Sequence, residues 1–109
     1  MSHSIQLVSP VNGSIYVQRE FASDATLAAA LASAERAQRA WKTTPMAERA
    51  AYCSAAVDAM NAMAAEIVPE LAWQMGRPVR YGAGELRGFT DRARYMIGIA
   101  PQALADVVP

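Results

Sequence analysis

The chain has 109 residues in which Lys plus Arg and Asp plus Glu each total 10, for a formal net charge of zero. No basic run is present that could follow a phosphate backbone, which disfavours nucleic acid as a partner. The apolar runs stop well short of the ~20 residues that a membrane span needs, and the opening Met-Ser-His-Ser lacks the charged-then-apolar order of a signal peptide, so the expectation is a cytoplasmic protein without membrane contact.

The hydrophobic content of 53% overstates the core, because alanine supplies much of it and buries little area per residue. One cysteine, Cys53, excludes an internal disulfide, and with the single histidine, His3, it cannot build a structural zinc site. A chain this short and this alanine-rich reads as a layer made to lie against something larger.

Residues 5–17 read as a β-hairpin. Leu7, Val8 and Val11 lead into Asn12-Gly13, a two-residue turn signal because both positions tolerate positive φ, and Ile15, Tyr16 and Val17 lead away. Pro10 cannot donate to a ladder and must sit at an edge or end. An isolated hairpin is marginal in water, so this one should dock on helices.

A first helix is expected over 24–42. Ser23 and Asp24 offer an N-cap, and Leu27, Ala30, Leu31, Ala34, Ala37 and Trp41 recur at three-and-four spacing. Glu35 and Arg39 form an i,i+4 pair on its polar side. Thr44 can cap the next helix, with Pro45 at its first position and Glu48 in the place of the capping-box acid, one residue late at most.

The second helix, over 46–75, carries the longest stripe: Met46, Ala50, Cys53, Val57, Met60, Ala64, Ile67, Leu71 and Met75. It spans roughly 45 Å at 1.5 Å per residue, too long for a lone small domain to cover. Pro69 clashes with the carbonyl of Ala65, so a kink or restart is expected near Met63 to Ala65, with Pro69 close to the first turn of the second segment. Gly76 stops the helix and Arg77-Pro78 turns the chain.

A third helix is expected over 81–100, carrying Leu86, Phe89, Ala93, Met96 and Ile97, with Pro101 kinking or ending it. Gly82, Gly84, Gly88 and Gly98 weaken it, which implies close approach to another element.

The chemistry-bearing residues are sparse. Cys53 lies in mid-helix on the apolar stripe, where a thiol is desolvated, and no helix N-terminus or histidine activates it. Gly82, Gly84 and Gly88 have the spacing G-x-G-x-x-x-G with no strand before them, unlike the dinucleotide fingerprint. Arg77, Arg80, Arg87, Arg92 and Arg94 are interrupted by Glu85 and Asp91, as on a solvated face, with Arg87 and Asp91 an i,i+4 pair. Trp41 and Trp73 belong to helix faces as core or interface. Glu85, flanked by glycine in an otherwise apolar segment, is the one acid that stands out.

Taken in order, these motifs resemble the N-terminal segment of the aldehyde dehydrogenase superfamily over nearly the whole chain. Ser9-Pro10-Val11-Asn12-Gly13 is similar to its opening "NPxTG" hairpin. Ala25 to Trp41 followed by Thr44-Pro45 resembles its alanine-rich first helix with a closing tryptophan. Glu48-Arg49-Ala50 resembles the "ERA" start of its long second helix, and Met75-Gly76-Arg77-Pro78 its "xGKP" turn, with Glu85 as the acid that follows. Gln74 stands where many members have glutamate, and Arg77 where most have lysine.

The resemblance implies a mostly α chain: a hairpin and three main helices forming the outer N-terminal part of an α/β, Rossmann-like cofactor-binding domain, with residues 1–109 as the N-terminal portion. It implies an NAD(P)-dependent enzyme that oxidises an aldehyde to a carboxylic acid. The family's nucleophilic cysteine, general-base glutamate, oxyanion-hole asparagine and cofactor-holding strands lie beyond this stretch. No catalytic or cofactor-binding residue is therefore assigned here, Cys53 included, and the chain alone is expected to be inactive and to bind no NAD or NADP. The implied partners are the remainder of the subunit and, in the parent, further copies in a homo-oligomer. In some members an acid at the place of Glu85, with carbonyls at the places of Leu7 and Val8, holds a monovalent cation. The alternative reading is a non-catalytic helical module for self-association or partner docking.

Overall fold

The computed structural model describes residues 3–107. Two strands, β1 (Ser4–Val8) and β2 (Ile15–Glu20), are followed by four helices: α1 (Asp24–Trp41), α2 (Met46–Ala62), α3 (Ala64–Met75) and α4 (Val79–Ala103). The mostly helical class with an N-terminal hairpin is as expected. The helix count is not, because the long central element is divided.

The strands pair antiparallel, from Ser4 opposite Glu20 to Leu7 opposite Val17, and then shift so that Val8 faces Ile15. The shift leaves Tyr16 without a partner across the ladder, which is how a bulge re-aims a side chain. The connection is longer than the expected two-residue turn. Ser9 N–H donates to Ser14 O at 2.8 Å and Gly13 N–H to Ser9 O at 2.8 Å, closing a loop over residues 9–14. Only Gly13 takes positive φ, at 75°. Asn12 instead accepts from the Ser14 N–H at 3.0 Å and hydroxyl at 2.7 Å, an Asx turn that competes with the mirror-image hairpin geometry. Pro10 falls in this loop, clear of the ladder.

Ser23 caps α1 by accepting from Thr26 N–H at 3.2 Å, and Glu35 pairs with Arg39 at 2.7 Å on the solvent side. Helix α2 departs from its expected cap: Pro45 is the N-cap residue with no side-chain bond, so Met46 is the first helical position and Thr44 does not cap. The Thr44 N–H is already used in the preceding turn, donating to Trp41 O at 3.0 Å.

The chain leaves helical geometry at Met63, as expected from Pro69, with φ −85° and ψ 11°. Pro69 lies one turn deeper than anticipated, as the sixth residue of α3, and the restart at Ala64 keeps most of the ladder intact around it. Gly76 ends α3 in the left-handed region at φ 71°, and its N–H donates to Ala72 O at 2.9 Å. Helix α4 begins at Val79, two residues before the expected start, and runs through Pro101. Arg87 and Asp91 form no ion pair among the described residues.

Helix α4 packs across α2 and α3, and this junction holds the only buried apolar side chains among the described residues, Val57 at 3% and Leu86 at 8% exposure. Gly82 is the point of closest approach: a Cβ there would stand 2.5 Å from Val68 Cγ1. Gly84 meets only Arg87 of its own helix, at 3.8 Å, and Gly88 and Gly98 have nothing within 4 Å, so the close-approach expectation holds at Gly82 and fails at those three. Beside the junction, Asn61 Nδ2 donates to Val57 O at 2.9 Å, and the Thr90 hydroxyl lies 3.0 Å from Asn61 Oδ1. Asp58 and Arg94 join α2 to α4 at the surface.

The central stripe is only partly covered. Val57 is buried; Met46, Ala50, Ala64, Ile67 and Leu71 are half-buried; Cys53, Met60 and Met75 are exposed. Helix α1 buries no residue. The radius of gyration is 18.9 Å, against about 13 Å for a compact domain of this length. The accessible surface is 8596 Å², against roughly 5,900 Å² for a folded monomer of this mass. The described residues enclose almost no core of their own.

Candidate functional site

Three clusters gather the residues with chemical potential. The first surrounds Glu85, placed on the second turn of α4 by the turn at Gly76. That turn brings Pro10 of the hairpin loop against Gly76, where an added Cβ would lie 3.1 Å from Pro10 Cγ. Arg77 leaves the turn and forms an ion pair with Glu85, while its guanidinium carbon lies 5.5 Å from the centroid of Tyr81. Arg80 covers the same ring at 4.7 Å. No hydrogen bond joins Glu85 to Leu7 or Val8 among the described residues, and no group of three or more His, Cys, Asp or Glu that could hold a metal occurs among them.

The second cluster ties the hairpin to α3. Freed from the ladder, Tyr16 stacks its ring on Trp73 with centroids 5.8 Å apart and planes 3° from parallel. Its hydroxyl donates to Glu70 Oε1 at 2.7 Å, and Gln74 Nε2 donates to Glu70 Oε2 at 2.6 Å. These two donors hold the Glu70 carboxyl below its ordinary range, and the carboxylate acceptor raises the Tyr16 phenol above its own. Behind the stack, the fully buried Ser9 donates its hydroxyl to Trp73 O at 2.6 Å, satisfying a carbonyl at the C-terminal end of α3. The expected docking of the hairpin is thus present. Of the residues that perform it, sequence placed Ser9 and Tyr16 only within the hairpin and did not mark Glu70; the Glu70–Gln74 spacing of four was the available signal.

The third is a groove of about 330 Å³ between the start of α2 and the end of α4, bordered by Trp41, Met46, Cys53, Met96 and Leu104, with Arg49 in its wall. Trp41 leans on Tyr52 at a centroid distance of 5.7 Å. Cys53 is exposed here, so the expected desolvation of its thiol is corrected: no element among the described residues covers that stretch of the stripe. Gly82, Gly84 and Gly88 lie inside α4 and not in a strand-to-helix loop, in keeping with the absence of a dinucleotide fingerprint.

None of the three clusters assembles a nucleophile, a base and an orienting group within reach of one another. The class they define is a hairpin-tethered helical layer with uncovered apolar faces. A model of the aldehyde dehydrogenase family matches residues 1–109, and the chain belongs to that family, as an N-terminal segment. No match was found among curated proteins or among solved structures. No helix of the described residues is long and apolar enough to cross a membrane.

Proposed function

We propose that this chain is the N-terminal portion of the cofactor-binding domain of an NAD(P)-dependent aldehyde dehydrogenase, contributing to oxidation of an aldehyde to a carboxylic acid only when joined by the rest of the subunit. The observation that carries the reading is a family match over the whole chain combined with a core of just Val57 and Leu86 among the described residues. A layer that leaves Leu31 73% and Met75 67% exposed needs further polypeptide to enclose it. In the parent, an α/β domain would supply that cover, and copies of the subunit would associate as a cytoplasmic homo-oligomer.

The glycines of α4 do not form a dinucleotide loop: they are helical, and the face of Gly82 is filled by Val68. The monovalent cation assigned by resemblance to Glu85 meets a carboxylate already engaged by Arg77. An ion there would have to displace that guanidinium.

The test is to assay the 109-residue chain with NAD and with NADP against a panel of aldehydes. No reduced cofactor should form, and turnover above background would refute the reading. A second reading, a non-catalytic helical docking or self-association module, draws support from α1, which buries nothing. Sedimentation with circular dichroism separates the two. A stable, concentration-dependent helical oligomer favours the module, and a helical monomer at every concentration favours the incomplete subunit.

A further inference from the structure

The groove between α2 and α4 contains an unmatched charge. Every other arginine among the described residues is exposed, and so is Lys42; Arg49 alone is partly buried. Its Nε is shut off from solvent and has no hydrogen-bond partner. It takes part in none of the three ion pairs among the described residues, in which Glu35, Glu85 and Asp58 are taken by Arg39, Arg77 and Arg94. Around it the wall is apolar: Met46, Ala50, Met96, Ile97 and Leu104. An Arg49 Nε–H withdrawn from water and left without an acceptor is unfavourable, because desolvation of that donor is not offset.

Those two properties specify the occupant's chemistry. Apolar walls call for apolar side chains, and the fork of N–H donors calls for a carboxylate, which it can grip with two parallel bonds. About 330 Å³ is near the lower limit for a small-molecule pocket, and it suits one or two side chains of a covering segment. We infer that this groove is the seat of an apolar polypeptide segment that presents an Asp or Glu carboxylate to Arg49, and that the segment belongs to the rest of the subunit. The inference rests on the N-terminal-portion reading above. It adds the point at which the missing polypeptide is anchored and the residue type that anchors it.

Cys53 borders the groove and is exposed, so its reaction rate with a thiol reagent reports occupancy. The probes are octanoate, octylammonium and 1-octanol, which share a tail and differ in head group. Octanoate should slow Cys53 labelling of the 109-residue chain at about a tenfold lower concentration than 1-octanol, the factor expected of one charge-assisted pair, and octylammonium should be weaker than either. Arg49→Met should abolish the preference for the carboxylate, Arg49→Lys should keep part of it, and Arg92→Met, on an exposed arginine, should leave it unchanged.

Equal protection by the three probes, or none by octanoate, overturns the inference. So does a carboxylate preference that survives Arg49→Met. The wild-type comparison needs no variant, so a misfolded variant does not rescue the idea. A dimer that octanoate dissociates would seat a second copy in the groove and also overturn the assignment. Each of these failures leaves the N-terminal-portion reading intact, since that reading fails on aldehyde turnover.

Discussion

Replacing Gly82 by alanine tests whether α3 and α4 cross as described. In an open helix the change would stabilise by up to ~1 kcal/mol, because alanine restricts the unfolded chain and has the higher helical propensity. At Gly82 the new Cβ would stand 2.5 Å from Val68 Cγ1 and 3.1 Å from both Cβ and Cγ2. Those atoms sit at the base of a β-branched side chain that keeps essentially one rotamer in a helix, so the helices must part. Overpacking of this kind costs about 1–3 kcal/mol, leaving Gly82→Ala destabilised by roughly 0–2 kcal/mol after the propensity gain. Gly88→Ala has nothing within 4 Å of its new Cβ and supplies the control, with a gain of up to ~1 kcal/mol. Helical circular dichroism and urea midpoints of the two variants should move in opposite directions. Adding Val68→Ala to Gly82→Ala removes both methyl contacts and should recover part of the loss. If Gly82→Ala raises helicity as much as Gly88→Ala does, the crossing is not formed and the reasoning fails.

Ser9→Ala removes the donor to Trp73 O and the acceptor used by the Val11 N–H, so it should cost about 1–3 kcal/mol and release the hairpin, read as a red shift of Trp73 fluorescence. The Tyr16–Glu70 contact should be confined to a pH window. The Glu70 carboxyl is lowered in the folded state, so its contribution is present above the ordinary carboxylate pKa and lost as pH falls through the folded value. The Tyr16 phenol is raised, so its contribution is complete below 10.0 and lost as pH rises through the folded value. Proton NMR of the Tyr16 ring should show both limits, and Tyr16→Phe should erase the acid one from the Trp73 signal. Leu31→Lys, on a residue 73% exposed, should change stability by no more than ~0.5 kcal/mol while reducing binding of a hydrophobic dye; a larger loss of helicity would show that α1 is packed in solution.

What could be read from sequence was local. The Ser23 cap, the stop at Gly76 and the break near Met63 follow from single-residue backbone preferences, and all three are present. The two-residue turn at Asn12-Gly13 was overridden because the Asn12 side chain reaches Ser14 and takes up its N–H. The Thr44 cap failed because α2 starts one residue later than expected, at Met46, with Pro45 in the cap position. Cys53 was expected to be covered because periodicity marks the face that needs a partner, without saying whether the partner is in the same 109 residues. The residues that fasten the hairpin were hidden for a different reason. Ser9 and Trp73 are far apart in sequence, and no spacing rule links a strand to the end of a helix. The partial burial of Arg49 depends likewise on α4 passing over α2, which periodicity cannot place.

The Ser9 latch also sets an order of events during synthesis. Its two ends are separated by 64 positions, so at about 5–20 residues per second the first strands wait roughly 3–13 s for the end of α3 to be made. Through that interval both edges of the two-stranded ribbon are open to pairing with neighbouring nascent chains, and Ile5, Val8 and Ile15 remain uncovered afterwards. The hairpin is made well before the helix end that seats it, and a ribosome crowded with copies is where that delay is most hazardous.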